Sequence, residues 1–351
     1  AGFAYHQFGA ASGADLRFVS SDFSQELNYE VDVWNTNGTS LVWVQVPELV
    51  DSNTAIYALW GNALSSNAPL YTFNGAAWSA PYEAVWHLNE TVMDEGLTGM
   101  HLDSTGFRRD GSQNGNVNVP GFVGGGQAFD GNDLIDFGPF QLTGDRLTMS
   151  AWFKPVVGAP NGTLIGQSHL GTHANPFYKW ILYYNGAADT PHVRIDSNAI
   201  NGPGNIVIEN TWNQMAAVYD GTIVRLYLNG NEVASVPKTG NLQPGTQPVR
   251  AGGRAATPLA EYFLGDLDEI RLATGARSAD WIWASWLNAA SNLTFVCYDA
   301  PVPLDLTLTK TVSQTNLPAG STNLTYSIQV MNLSTVLVGG IVVTDSVPTD
   351  V

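Results

Sequence analysis

Charge is what this chain has least of. Only 13% of its 351 residues are Asp, Glu, Lys or Arg, so its polarity comes from Ser, Thr, Asn and Gly, the make-up of turn-rich β proteins. Basic residues are scarcest: 14 Lys and Arg stand against 31 acids, for a formal charge of -17, and no basic run exceeds the pair Arg108 and Arg109. Nucleic acid and anionic membrane surfaces are therefore poor partners on electrostatic grounds, and no nucleic-acid binding is expected. Long apolar runs are missing too. None approaches the roughly 18–20 residues that a membrane helix needs, so no membrane insertion is expected. Cysteine occurs once, as Cys297 in the apolar context TFVCYDA. It has no partner for an internal disulfide and is expected to be a small core residue rather than a nucleophile.

Motifs that carry catalysis are absent as well. HLGTH (169–173) places two His four apart, but in a Gly-containing loop with no Glu between them, whereas a zinc-hydrolase motif needs a helical face and that base. GFVGGGQAF (121–129) lacks the Lys and the helix of a phosphate loop. Glycosidases need two carboxylates about 5–10 Å apart across a cleft. The acidic run in FLGDLDEIRL (263–272) is the place to look for them. On a regular strand, however, Asp266 and Asp268 share one face and Glu269 takes the other, with no third acid at the right parity. His87, in VWHLNE (85–90), is expected to be a hydrogen-bonded structural residue.

Period-two alternation is abundant. NYEVDVW (28–34), SLVWVQV (40–46), LTMSAWFKP (147–155), WILYY (180–184) and TIVRLYLNG (222–230) each put apolar residues on one strand face. Asp-Gly and Asn-Gly turns separate them. One segment reads as helix, RSADWIWASWLNAA (277–290), with Ser278 as N-cap and Asp280 in the first turn. The expected fold is all-β. Composition divides the chain into a first β block at 1–62, a linker rich in small residues at 63–81, a long block at 82–300 and a Thr- and Val-rich block at 304–351.

The long block resembles the laminin-G-like, concanavalin A-like jelly-roll family. Six motifs carry the likeness in order: VWHLNE (85–90), DSTGFRRDGS (103–112), GGGQAFDGNDLIDFG (124–138), LTMSAWFKP, WNQMAAVYDGTIVRLYLNGNEVAS (212–235) and LDEIRLATGARSADWI (267–282). The first block resembles an uncharacterised domain that precedes such jelly rolls in bacterial and archaeal surface proteins, through GADLRFVSSD (13–22), LNYEVDVWN (27–35), SLVWVQVPEL (40–49) and IYALWGN (56–62). The last block looks like the opening half of the immunoglobulin-like repeat of prokaryotic surface proteins, through LDLTLTKTVS (304–313), LTYSIQVMN (324–332) and IVVTDSVPTDV (341–351). The implied architecture is a concanavalin A-like jelly-roll sandwich flanked by a partial N-terminal β domain and a partial Ig-like sandwich.

The jelly-roll resemblance implies one structural calcium, and the positions that match are Glu90, Asp103, Asp130 and Asp268. On the strand Tyr178, Trp180 and Tyr184 share one parity and Lys179, Ile181 and Tyr183 the other. If the first set is exposed, it forms an aromatic row on which sugar rings could stack. The resemblances imply a non-enzymatic, modular, extracellular or cell-surface protein with a structural or adhesive role. Its expected partners are other copies of itself, in a filament, or further domains of the same chain. The alternative is a polysaccharide-binding module whose partners are glycans.

Overall fold

The computed structural model describes residues 3–254, 256–313, 325–334 and 343–345. Contacts divide the chain into two compact units. One holds residues 1–27, 46–68 and 298–351, and the other 28–45 and 69–297.

The larger unit is the jelly roll, two eight-stranded antiparallel sheets face to face. The first sheet runs Asn231–Pro237, Ile223–Leu228, Asn213–Tyr219, Leu147–Pro155, Leu264–Ala273, Gly125–Asp130, Val117–Pro120, with Tyr82–Trp86 also paired to Leu264–Ala273. The second runs Asn198–Asn201, Thr190–Ile195, Tyr178–Asn185, Gly162–Ser168, Val249–Ala251, Leu134–Asp136, Gly111–Asn114, Met100–His101. Alternation fills the space between them. Leu147, Met149, Ala151 and Phe153 from the first sheet meet Trp180, Leu182, Tyr184, Val193 and Ile195 from the second, all buried in one core. Trp86 stacks on Phe137 there, ring centroids 3.8 Å apart.

The outer face of the first sheet is also covered. Helix Ala279–Ala290 starts where expected, with Ser278 Oγ accepting the Trp281 amide, and it buries Ile282 against Ala216, Val218 and Tyr227. A short second helix, Asn292–Phe295, follows and leaves Cys297 exposed. The cysteine is therefore not a core residue: its neighbourhood is a surface connection, which an apolar heptapeptide does not reveal. The hairpin Tyr29–Val33/Leu41–Val44 belongs to the same unit. Trp43 of this hairpin meets Trp78, which is 7% exposed. Residues 28–45 thus pack with the jelly roll, and so does the end of the expected linker, where Ala76–Trp78 forms a 3-10 turn with Ala77 and Trp78 buried.

In the smaller unit, Arg17–Ser20 pairs on one side with Glu26–Leu27 and on the other with Ile56–Leu59. Buried Asp15 fixes the neighbouring loops, its carboxylate accepting the amides of Gly9, Ala10 and Gly61 at 2.8, 3.1 and 2.7 Å. Leu306–Val312 and Tyr326–Asn332 form an antiparallel pair. Leu324 and Ile341 of the Ig-like motifs lie outside the described residues.

Candidate functional site

The acidic run of the last strand is not laid out as regular alternation predicts. Against Leu147–Pro155 the register passes from Ser150 opposite Arg271 to Trp152 opposite Asp268, so Glu269 and Ile270 share the place of one residue. Glu269 takes φ 50° at this bulge, a left-handed conformation that a non-glycine residue adopts only where its surroundings hold it. The bulge turns Glu269 to the same side as Asp268, away from the core that Ile270 enters. The three acids then have three separate tasks. Asp266 pairs with Lys154 at 3.0 Å. Asp268 Oδ2 accepts the amides of Phe122 and Val123 at 2.7 and 2.8 Å. Glu269 reaches His87 Nδ1 at 2.6 Å with one oxygen and Arg271 Nη2 at 2.6 Å with the other.

This network is buried, with His87 Nε2 and Asp268 Oδ1 left without hydrogen bonds. The hairpin lies over it, with Glu30 Oε2 3.5 Å from His87 Nε2, an ion contact without hydrogen-bond geometry. Asp32 accepts from Trp43 Nε1 at 3.2 Å and from the Asn89 amide. Arg271 lies between Trp43 and Trp78, 4.4 and 4.9 Å from their ring centroids. Burial alone would lower the His87 pKa, but the adjacent Glu269, with Glu30 and Asp32, outweighs it and raises it well above the ordinary value. Burial likewise works to raise Glu269, and His87 and Arg271 reverse the direction. Burial and the Glu269 charge push the Asp268 carboxyl well up. Glu269 is 2% exposed and both its oxygens are engaged, so it offers no position to a substrate. The expectation for His87 as a hydrogen-bonded structural residue agrees with this.

The four carboxylates expected to hold calcium are not gathered. Glu90 binds His101 Nδ1 and the Leu102 amide, and Asp268 serves the loop at Phe122. Asp103 is saturated: it accepts the amides of Val85 and Thr105 on Oδ1, and Thr105 Oγ1 and the Arg109 amide on Oδ2, at 2.8–3.0 Å. Among the described residues Glu90, Asp103 and Asp268 share no carboxylate group, although Asp268 Oδ1 has no hydrogen bond, and Asp130 stands in a different group with Glu95 and Asp133. Asp103→Ala is expected to lower stability by about 1–3 kcal/mol, by leaving buried donors unpaired. Denaturant melts with and without chelator should show the same loss, because this residue acts through hydrogen bonds.

The expected aromatic row also turns inward. Trp180 and Tyr184 are fully buried in the core, and Tyr178, 8% exposed, donates its hydroxyl to Glu261. No sugar can stack on them. Parity could not show this, because the opposite side of the strand is buried too, with Lys179 and Ile181 at 0% and 1% exposure.

An open cleft of about 490 Å³ forms instead where the edge strands Asn198–Asn201 and Asn231–Pro237 of the two sheets approach. Asn198 Nδ2 donates to the Pro237 carbonyl at 3.1 Å and ties those edges. The turn at Asp196 and Ser197, the segment 238–243 that follows Asn231–Pro237, and His169 with Pro176 line it. Asp196, at φ 55° in a tight turn, meets Lys238 Nζ at 3.0 Å and accepts the Gln243 amide at 3.2 Å. Lys238 also lies over the Tyr219 ring at 4.5 Å. Both charged residues are under a tenth exposed. Around this neutralised pair, Ser197, Thr239, Asn241 and Gln243 are exposed. These residues come from segments distant in sequence and share no periodicity; the single local signal was a Lys in the apolar-flanked VPKTG (236–240).

Residues 129–283 match the model of the concanavalin A-like lectin/glucanases superfamily, and residues 12–79 match a domain of unknown function (DUF2341). No curated protein matches the chain. Among solved structures, it is similar to domain 4 of AbnA, a GH43 extracellular arabinanase from Geobacillus stearothermophilus, in complex with arabinotriose. Identity there is 17% and the TM-score 0.43, over 57% of this chain and 96% of that one. The Ruminococcus gnavus IT-sialidase CBM40 bound to α2,3 sialyllactose is 18% identical with a TM-score of 0.34, over 40% and 82%. A heptameric SAP-like pentraxin from Limulus polyphemus is 15% identical with a TM-score of 0.36, over 45% and 80%.

Proposed function

We propose that the jelly roll is a non-catalytic carbohydrate-binding module of an extracellular or cell-surface protein, and that it takes an oligosaccharide into the cleft at Asp196 and Lys238. The observation that carries this is the lining of the cleft: a buried carboxylate and ammonium that neutralise each other, rimmed by exposed amide and hydroxyl side chains. Such groups exchange hydrogen bonds with sugar hydroxyls, and the volume falls within the range of about 300–1,000 Å³ usual for ligand sites. Hydrolysis needs two carboxylates. Among the described residues that line the cleft, Asp196 is the one carboxylate, and it is held by Lys238. The superfamily description, lectin/glucanases, supports polysaccharide recognition over the adhesive filament. No helix among the described residues is long and apolar enough to cross a membrane.

Incubated with laminarin, xylan or sialosides, the protein is expected to release no reducing ends. One of these glycan classes should retard it in affinity electrophoresis, and Lys238→Ala should abolish the retardation. Turnover by the wild type, or retardation indifferent to Lys238, contradicts the proposal.

A further inference from the structure

A second carboxylate group stands apart from both the cleft and the last strand, where three loops of the jelly roll converge. Oxygens of Glu95, Asp130 and Asp133 all lie within 4.8 Å of one another. Glu95 belongs to the loop before Met100–His101, Asp130 ends the strand Gly125–Asp130, and Asp133 immediately precedes Leu134–Asp136. Asp133 is 3% exposed. Its Oδ2 accepts the Asp130 amide at 2.8 Å, whereas its Oδ1 is buried without any partner. That bare oxygen faces Gly115, where a Cβ would come within 1.9 Å of it, and the Gly115 carbonyl in turn receives the Glu95 amide at 2.9 Å. Among the described residues, no Lys, Arg or His pairs with Asp94, Glu95, Asp130 or Asp133.

A buried carboxylate oxygen with no hydrogen bond, beside two further carboxylates and no basic group, is unfavourable until a cation completes it. An all-oxygen donor set selects a hard cation. Calcium accepts six to eight oxygens in flexible geometry at about 2.3–2.6 Å, whereas magnesium demands a near-ideal octahedron, so a site assembled from three loops favours calcium. We propose that Glu95, Asp130 and Asp133 bind a calcium ion that ties together the 94–96 loop, the turn at Gly115 and the 130–133 turn. Only Asp130 is shared with the four positions that the family resemblance pointed to.

The test is calcium titration of the intact, EDTA-treated chain by calorimetry, together with its Tm. One site with a Kd below about 1 mM is expected, and calcium should raise the Tm more than equimolar magnesium does. Glu95→Gln alters an exposed side chain and should raise the Kd about tenfold or more by removing one ligand charge. Asp133→Asn should abolish the calcium-dependent rise in Tm, while in EDTA its Tm should equal or exceed that of the wild type, because an uncompensated buried charge has gone. A wild type that binds no calcium up to about 10 mM, well above the range of extracellular sites, overturns the proposal. So do Glu95→Gln and Asp133→Asn proteins that respond to calcium as the wild type does.

Discussion

Replacing His87 with alanine is expected to destabilise the jelly roll by about 3–5 kcal/mol, the usual cost of removing one partner from a buried ion pair. Glu269 would keep Arg271 but lose the imidazole at 2.6 Å, and Glu30 and Asp32 would face it with less positive charge. The effect should depend on pH in a definite direction. The folded His87 is raised well above its ordinary value, so the native state holds a proton that the unfolded state releases near pH 6.5. Its contribution is complete below that pH and is lost as pH rises through the folded pKa. Asp32 and Asp268 are also pushed up by burial, so the stability they contribute falls with rising pH from a lower starting point. Glu269, pushed down overall, opposes them only in acid. Urea melts from pH 6 to 9 should therefore show wild-type stability falling on the alkaline side and His87→Gln nearly flat. A flat wild-type curve would mean that the imidazole is neutral in the folded protein.

Trp180→Ala should cost about 3–5 kcal/mol as well, through lost burial and the cavity left behind. Trp180 is fully buried between the sheets. The milder Trp180→Phe should stay folded and bind glycan as the wild type does, which separates core packing from sugar stacking. Glycan binding lost in a stably folded Trp180→Phe protein would return this residue to the ligand site.

The sheets themselves were legible from alternation. LTMSAWFKP matches the strand Leu147–Pro155 residue for residue, and Ser278 caps the helix it was expected to cap. Legibility ended where a local irregularity or double burial broke the link between parity and exposure. The bulge at Glu269 reversed the side of one carboxylate, and no residue type in LDEIRL announces it. On Tyr178–Asn185 both faces are buried, so an aromatic stripe could not be told from an exposed one. The acids matched to a family calcium site were spent on backbone amides, as Asp103 shows, because Asp beside Ser, Thr and Gly also closes turns. The cleft was invisible because three distant loops build it.

The most direct measurement is binding of a glycan array by the intact chain, repeated with Asn241→Ala/Gln243→Ala. Those side chains reach the cleft, and neither is part of the core or of the His87 network. The wild type should retain one class of oligosaccharide, and the double variant, with an unchanged Tm, should lose it at least about tenfold, as two forfeited hydrogen bonds would require. A wild type that retains none, or a double variant that binds as well as the wild type, would contradict glycan binding at this cleft.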